Sequence, residues 1–307
     1  MQLYTGTSDQ ALRPNVATIG FFDGVHRGHR FLIEQVCGIA SARGLASSVI
    51  TFPVHPRKVM QPDFHPELLT TCDEKVALLA GTGIDYCVML DFTLDLARLS
   101  AKQFMSILKN DYEVQVLVIG YDHRFGHNRS EGFDDYVRYG QELGIEVILA
   151  QAYSNNEINV SSSAIRRLLL EGRVSEAADC LGYSFFLNGT VVNGYHVGRK
   201  IGFPTANLRV DSPDKLVPAD GVYAVHVFLG EEKYAGMLSI GYRPTLNNGL
   251  DRSIEVHIFH FDADIYNQPI SISFVRRTRP ELKFDSIEEL IEQLHKDEAE
   301  ITAILSC

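Results

Sequence analysis

Residues 16–29 combine three features that fix the local path of the chain: a short apolar run, a turn punctuated by glycines, and two histidines. The run Val16–Ile19 has the length and composition of a buried strand. Residues 30–40 then repeat apolar side chains at the spacing of one helix face. His26 and His29 therefore lie where a predicted strand ends and a predicted helix begins.

Such a junction favours the binding of an anion. Free backbone N–H groups and the positive end of the helix dipole meet there, and Gly24 and Gly28 allow a polyanion to approach the backbone closely. Two surface histidines, or half of a zinc site, are the alternatives. No cysteine or carboxylate stands at a companion ligand spacing, which argues against zinc. The junction predicts a phosphate site that contains two imidazoles.

Charge and cysteine content limit the partners of the chain. Its 28 basic and 39 acidic residues give a net charge of −11, which repels a nucleic-acid backbone at long range. The five cysteines are widely spaced, as is typical of reduced thiols in the cytoplasm. Residues 1–15 lack a signal-peptide core, and no apolar stretch approaches the roughly 20 residues of a membrane span. We expect a cytoplasmic monomer or weak oligomer that binds small molecules and contacts neither nucleic acid nor membrane.

The pattern along the chain predicts two domains. Strands and helices alternate to about residue 150, which predicts an α/β fold with a parallel sheet and helices on both of its faces. Short strands separated by Gly, Pro and Asn turns follow, typical of an antiparallel β-barrel, and Ser286 begins a C-terminal helix. We therefore predict domains at 1–182 and 183–307. After the first strand, the predicted strands are 46–52, 86–90, 114–119, 145–149, 185–192, 222–228, 234–240, 253–260 and 270–275.

Three other segments of the first half place polar groups at one edge of the predicted sheet, where ligands of parallel sheets bind: 51–56, 120–126 and 160–166. Ser161–Ser163 can be explained as simple helix caps, and Arg166 as a surface residue. Together, however, hydroxyl groups, helix-start amides and an arginine also suit a triphosphate.

The second half contains a glycine-rich string, residues 189–207, that ends in Phe-Pro-Thr-Ala-Asn. Its glycines allow a loop to wrap a phosphate, and Pro204 fixes the chain before Thr205 and Asn207, whose neutral oxygens suit Mg²⁺. A glycine-rich hairpin would explain the glycines but not the final string. Because no Gly-x-x-x-x-Gly-Lys-Ser/Thr motif occurs, the chain is not a P-loop kinase.

These strings, in this order, resemble one family. The run Gly-x-Phe-Asp-Gly-x-His-x-Gly-His at 20–29 resembles the nucleotidylyltransferases, and residues 189–207 resemble the riboflavin kinases. With about seven motif blocks in family order, the chain looks like the prokaryotic bifunctional riboflavin kinase/FAD synthetases. The resemblance implies a Rossmann-like FMN adenylyltransferase domain followed by a riboflavin kinase barrel. Riboflavin and ATP would give FMN and ADP, then FMN and ATP would give FAD and pyrophosphate, with Mg²⁺ as cofactor, ATP as co-substrate, and FMN and FAD as product ligands.

The resemblance also implies site residues. The catalytic residues would be His26, His29 and Glu255, of which Glu255 would accept the proton of the ribityl 5′-hydroxyl. On its own, a glutamate in an alternating strand is usually a solvated outer residue. In the adenylyltransferase, ATP or its phosphates would contact Gly20, Phe22, Gly24, Asp122, Ser161, Ser162 and Arg166. In the kinase, ATP would contact Gly194, Gly198, Lys200 and Thr205, Mg²⁺ would bind Thr205 and Asn207, and the flavin would contact Arg279 and Glu281.

The chain departs from the family pattern at Val54, at His123 and over residues 127–132, and in the second half at Asn193, Val197 and Ser239. None of these departures removes a residue to which the resemblance gives a catalytic role. Two other functions remain open at this point: an adenylyltransferase with a different phosphorylated acceptor, and a flavin-binding or regulatory protein without turnover.

Overall fold

A computed structural model of the chain describes residues 1–5, 12–120, 123–127, 131–153, 160–194, 197–242 and 252–306, apart from the side chains of Val197 and Lys200. The chain forms two compact units, Met1–Ser162 and Ser163–Cys307. Asp122 and Arg129 lie outside the described residues, as do residues 243–245 of the second-half motifs.

The first unit is an α/β layer structure. Its described strands form a six-stranded sheet of order β1-β4-β3-β2-β5-β6, and every pair in it is parallel. Its strands are β1 (Gln2–Thr5), β2 (Asn15–Ile19), β3 (Ala46–Thr51), β4 (Tyr86–Met89), β5 (Val114–Ile119) and β6 (Glu146–Leu149). Its helices are α1 (Arg27–Arg43), α2 (Pro56–Met60), α3 (Cys72–Ala80), α4 (Leu94–Arg98), α5 (Ala101–Tyr112) and α6 (Phe133–Leu143).

Side chains of the central strands alternate between two cores, as expected for a sheet covered on both faces. In β5, Val116 and Val118 pack in the core that contains Ile33 and Val36 of α1. The neighbouring β5 residues, by contrast, pack in the core that contains the buried face of α5. The predicted parallel sheet with helices on both faces is therefore confirmed.

The second unit contains a closed barrel of order β10-β11-β8-β7-β12-β9, and every pair in it is antiparallel. The barrel strands are β7 (Phe186–Val192), β8 (Ala206–Val210), β9 (Gly221–Leu229), β10 (Glu232–Tyr242), β11 (Arg252–Ile258) and β12 (Pro269–Arg279). The helices are α7 (Ser162–Leu170), α8 (Val174–Leu181), α9 (Val197–Lys200) and the C-terminal α10 (Ile287–Leu305). The predicted barrel with a C-terminal helix is confirmed.

The boundary between the compact units lies in the first turn of α7, after Ser162 and twenty residues ahead of the change in sequence pattern. Helices α7 and α8 contact the barrel, because the Ala219 N–H donates to the Leu169 carbonyl at 3.0 Å and the Ser175 hydroxyl to the Val275 carbonyl at 2.9 Å. The assignment of the two activities to residues 1–182 and 183–307 stays a prediction.

Two strands were missing from the predicted set, and both are short. β1 lies at the edge of the parallel sheet, and β8 completes the barrel directly after the Phe-Pro-Thr string. The starts of two helices are confirmed, because Thr71 and Ser100 each form the predicted capping box with the residue three positions later.

Candidate active sites

The glycine-punctuated turn of the first unit joins the carboxyl end of β2 to the amino end of α1. His26 is the N-cap residue of α1, and its Nδ1 accepts a hydrogen bond from the His29 N–H at 3.3 Å. An imidazole here takes the capping role that Ser, Thr, Asp or Asn usually fills. Because Nδ1 accepts, the proton of neutral His26 lies on Nε2.

The two imidazoles predicted to share a phosphate site do lie together. Their rings stack with centroids 3.6 Å apart and planes 18° apart, and Phe22 contacts His29 edge-on at 5.1 Å. Burial, together with the positive charge of His26, His123 and Lys75, holds the pKa of His29 well below its ordinary value. The Nδ1 atom of His29 is buried and has no hydrogen-bond partner. A neutral, partly buried imidazole with an unsatisfied ring nitrogen thus lies at a helix N-terminus.

The turn holds a backbone conformation that its residue types disfavour. Phe22 has φ 54° and Val25 has φ 37°, both in the left-handed region. A β-branched residue there is an outlier, and such strain persists only where surrounding contacts enforce it. Gly24, with φ 80°, is the residue of the three that adopts this region without cost.

Asp23 and Thr70 supply the contacts that enforce the turn. The buried Asp23 carboxylate accepts from the Leu69 N–H at 3.1 Å, the Thr70 N–H at 3.0 Å and the Thr70 hydroxyl at 3.2 Å. The Thr70 hydroxyl in turn accepts from the Gly24 N–H at 3.0 Å. The Gly24 amide therefore stabilises the turn itself. From the other side, the Ser162 hydroxyl donates to the Asp23 carbonyl at 3.0 Å.

The other described residues that are predicted to contact ATP in the adenylyltransferase lie in three places. Gly20 lies under the Phe22 ring, where a Cβ would come within 3.1 Å of it. Ser162 lies against the turn, as described, and Ser161 precedes it in sequence. Arg166 is on α7, within the second compact unit. Their predicted contacts with ATP stay predictions.

In the barrel, β11 presents alternate residues to the Phe-Pro-Thr string. Ile254, Val256 and Ile258 are buried, so Glu255 and His257 point to the opposite face. The Thr205 hydroxyl donates to Glu255 Oε2 at 3.0 Å, and Asn207 is the register partner of Glu255 across the ladder. The structure therefore brings together the three residues that the string and the glutamate motif predict.

The glycines of the second-half string make close backbone contacts. A Cβ on Gly198 would lie 2.2 Å from the Phe203 carbonyl oxygen, and one on Gly194 would lie 2.2 Å from Asn207 Nδ2. These glycines allow the loop to lie directly against residues 203–207. The side chain of Lys200, which was predicted to contact ATP, lies outside the described part of the chain.

A cavity of about 190 Å³ adjoins this cluster. Its lining includes Thr205, Arg199, Asp262 and Asp264, together with aromatic and aliphatic side chains such as Tyr266. A lining that combines a cation, two carboxylates and apolar side chains offers contacts to a polar ligand such as a nucleotide.

The two predicted flavin residues make different contacts. Arg279 donates to both carboxylate oxygens of the buried Asp297, at 2.7 to 3.0 Å, which joins the end of β12 to α10. Glu281 accepts from the Ser239 hydroxyl at 2.8 Å. Arg279 thus has a structural ion pair in addition to the flavin contact predicted for it.

Comparison with known proteins agrees with the geometry of both units. Residues 8–164 match the sequence model of the FAD synthetase family, and residues 181–305 match that of the riboflavin kinase family. The bifunctional riboflavin kinase/FMN adenylyltransferase of Listeria monocytogenes is 37% identical over 95% of this chain and 92% of its own length. The chain belongs to the bifunctional riboflavin kinase/FMN adenylyltransferase family.

Other relatives extend over the same length. The Escherichia coli K12 member of this family is 36% identical over 97% of this chain and 96% of its own length. A crystal structure titled as a macrolide-efflux protein from Streptococcus pneumoniae is 31% identical, covers 97% of both chains and superposes with a TM-score of 0.87. Within the described residues, every helix is too short or too polar to cross a membrane.

Three residues of the adenylyltransferase unit contact the turn but were not among the predicted site residues: Asp23, Thr70 and Lys75. Asp23 lies inside the motif, so its string could have indicated it. Thr70 and Lys75 are 46 to 54 positions away from the atoms of the turn that they contact. Residues 70–75 look in sequence like an ordinary helix start, and no local pattern marks them.

Proposed function

We propose that the glycine-punctuated turn of this family member binds the phosphates of ATP for adenylyl transfer and that the Thr205–Glu255 cluster phosphorylates riboflavin. The observation that best supports the first site is the stacked imidazole pair at the start of α1, with the unsatisfied Nδ1 of His29. The observation that best supports the second is the hydrogen bond between Thr205 and Glu255.

In the adenylyl-transfer step, a phosphate oxygen of FMN attacks the α-phosphorus of ATP and pyrophosphate leaves. No covalent nucleophile is required, so the protein aligns the reactants and stabilises the charge that develops on the transferred group. His26 and His29 donate hydrogen bonds to the phosphates. Ser161, Ser162 and Arg166 hold the leaving pyrophosphate, and Asp122 faces the nucleoside.

In the kinase step, Glu255 accepts the proton of the ribityl 5′-hydroxyl as the γ-phosphate arrives. Gly194, Gly198 and Lys200 hold the ATP phosphates, and the cavity beside Thr205 takes the nucleotide.

Thr205 and Asn207 fit a Mg²⁺ ion because a hydroxyl and an amide supply the neutral oxygen donors that suit a partly hydrated ion on phosphates. Within the described chain, no group of three or more His, Cys, Asp and Glu side chains could hold a metal by itself. When bound, Mg²⁺ neutralises phosphate charge.

The product of the barrel is the substrate of the α/β unit, so one chain would convert riboflavin into FAD. We place these reactions in the cytoplasm, which fits the free thiols of Cys37, Cys72, Cys87 and Cys180.

The test is to incubate the purified protein with riboflavin, ATP and Mg²⁺ and to separate the flavins by chromatography. FMN should form first and FAD later. Replacing riboflavin by FMN should give FAD and pyrophosphate directly. Pantetheine phosphate and nicotinamide mononucleotide, offered as alternative acceptors, should give no adenylylated product. If neither FMN nor FAD forms, the proposal is wrong.

A further inference from the structure

Helix α3 carries a lysine that faces the interior. Lys75 is only 2% exposed, although lysines are rarely buried without a partner. Its Nζ donates to two backbone carbonyls, that of Phe21 at 3.1 Å and that of Phe52 at 2.6 Å. The ammonium group also lies 4.2 Å from the centroid of the Phe21 ring. These contacts compensate the burial of a cation by hydrogen bonds and a π face rather than by a salt bridge.

The two carbonyls belong to the carboxyl ends of neighbouring strands. Phe21 follows β2 and begins the turn that carries Asp23 and the stacked histidines. Phe52 follows β3, three residues before His55, whose ring contacts Phe21 edge-on at 4.7 Å. One side chain therefore joins the two segments that carry the histidine motifs of the first unit.

We propose that Lys75 is a positioning residue of the adenylyl-transfer site, whose ammonium group fixes both strand ends and places a buried positive charge beneath the phosphate turn. The inference rests on the proposed function of that turn. Lys75 contacts backbone and not substrate, so it acts through the residues that it holds. A buried charge in a fixed position stabilises developing phosphate charge without reorganising during the reaction.

Protonation of Lys75 gives this role a measurable signature. Burial lowers the pKa of Lys75 to about 8, although Cys72 on its own helix, Asp23 in the turn and Cys87 on β4 each act to raise it. Within the described part of the chain, His29 on α1 is a further titratable group that interacts with it. As the pH rises through about 8, the ammonium group loses its charge and adenylyl transfer should fall.

The contribution of Lys75 to the stability of the fold should increase over the pH range in which adenylyl transfer falls. The pKa of Lys75 is lower in the folded protein than the ordinary 10.5. The unfolded chain therefore binds more protons between these two values, and the contribution of this group to stability rises with pH there. If Lys75 only supported the fold, adenylyl transfer would not decrease between these two pH values.

The experiment compares Lys75→Met and Lys75→Gln with the wild type in the full-length protein. FAD formation from supplied FMN is measured from pH 6.5 to 9.5, and FMN formation from riboflavin is measured in the same preparations. Lys102→Met is the matched control, because that lysine is exposed on α5 of the same unit and pairs with Glu142.

We expect Lys75→Met to lower kcat for FAD formation by about 100-fold, with little change in KM for ATP. Riboflavin phosphorylation and the Lys102→Met variant should match the wild type. The alkaline decrease near pH 8 should be present in wild-type FAD formation, absent from FMN formation, and absent from Lys75→Met. Lys75→Gln, which has a neutral amide, should recover part of the wild-type kcat. Its rate should not decrease near pH 8.

The inference is wrong if Lys75→Met keeps wild-type kcat, or if its alkaline decrease is unchanged. Thermal unfolding shows whether each variant is folded. Should both variants fail to fold, the wild-type profile still provides the test, since a folded wild type without an alkaline decrease near pH 8 contradicts the inference. A wild type that forms no FAD at any pH would instead contradict the proposed function of the turn.

Discussion

At the scale of single residues, the glycine-punctuated turn combines a neutral, partly buried imidazole with strained backbone. His29 has its pKa held well below the ordinary value, chiefly by burial. Between that lowered pKa and the ordinary value of 6.5, the unfolded chain binds more protons than the folded one, so acid destabilises the fold. We expect the thermal midpoint of the ligand-free first unit to decrease as the pH falls below 6.5.

The variant His29→Gln should have a weaker dependence on pH over the same range, because it removes the group that resists protonation. Calorimetry from pH 7.5 to 5.5 measures both proteins. ATP should oppose the effect in the wild type, since phosphate charge beside the imidazole raises its pKa. Equal acid sensitivity of wild type and variant would show that His29 is not the group responsible.

The sequence predicts the residues of this candidate site that lie in one local string, but it gives no sign of those that contact the turn from a distance. His26 and His29 were recognisable because a strand, a turn and a helix surround them in order. Lys75 was not, since a lysine in a short helix is usually a surface residue. Its buried ammonium group is stabilised by the carbonyls of residues 21 and 52, which lie close together only because β2 and β3 pair.

At the scale of elements, α1 contains two glycines in different surroundings. A Cβ on Gly28 would lie 3.3 Å from the ring of His26, whereas one on Gly38 would have no heavy atom within 4 Å. The His26 ring is stacked on His29 and has little freedom to move away. We expect Gly28→Ala to lower the rate of FAD formation from FMN by about 10-fold, through displacement of the imidazole.

Gly38→Ala is the matched control in the same helix. It should raise the free energy of unfolding of the first unit by about 1 kcal/mol, because alanine favours a helix interior over glycine, and leave the rate unchanged. Steady-state kinetics and thermal unfolding of both variants provide the measurement. A normal rate in Gly28→Ala would show that the position of His26 tolerates displacement.

Strand β11 contacts two consecutive residues of the Phe-Pro-Thr string. Glu255 accepts from Thr205, and two residues later His257 Nδ1 lies 2.7 Å from the Pro204 carbonyl oxygen. Because a carbonyl only accepts, Nδ1 of His257 carries the proton. We expect His257→Leu to lower kcat for riboflavin phosphorylation by about 10-fold, since the string loses its hydrogen bond to β11 next to Thr205.

His257→Asn keeps an N–H donor near the position of Nδ1 and should recover most of that rate. FAD formation from supplied FMN should be unchanged in both variants, which tests the integrity of the rest of the chain. Equal rates for His257→Leu and His257→Asn would show that the hydrogen bond to Pro204 does not position Thr205.

Elements with strong periodicity were predicted, whereas elements defined by their neighbours were not. The β-branched run at 114–119 is buried on both sides and is a strand in the structure. By contrast, Ala206–Val210 reads as the end of a polar loop, and it becomes a strand because β7 and β11 both pair with it. The helices at 162–181 look like a continuation of the α/β pattern, yet they contact the barrel.

At the scale of the whole molecule, each compact unit has its own sheet system and its own candidate site. Glu255 and Thr205 of the barrel candidate site both lie in the second unit, and His26 and His29 of the turn both lie in the first. A substitution that only removes a side chain from one site should therefore leave the other reaction intact. Glu255→Gln should lower FMN formation by 100-fold or more, an order of magnitude typical of a lost general base, while FAD still forms from supplied FMN.

Two variants that each lack one activity should consequently complement each other in solution. Glu255→Gln alone should form almost no FAD from riboflavin, and His29→Gln alone should accumulate FMN. An equimolar mixture should form FAD, because FMN released by one chain can bind to the turn site of another. Chromatography of flavins over time, with each variant alone as the control, gives the measurement. A mixture in which FMN stays bound to the His29→Gln chain and no FAD forms, although Glu255→Gln converts supplied FMN, would contradict this exchange between chains.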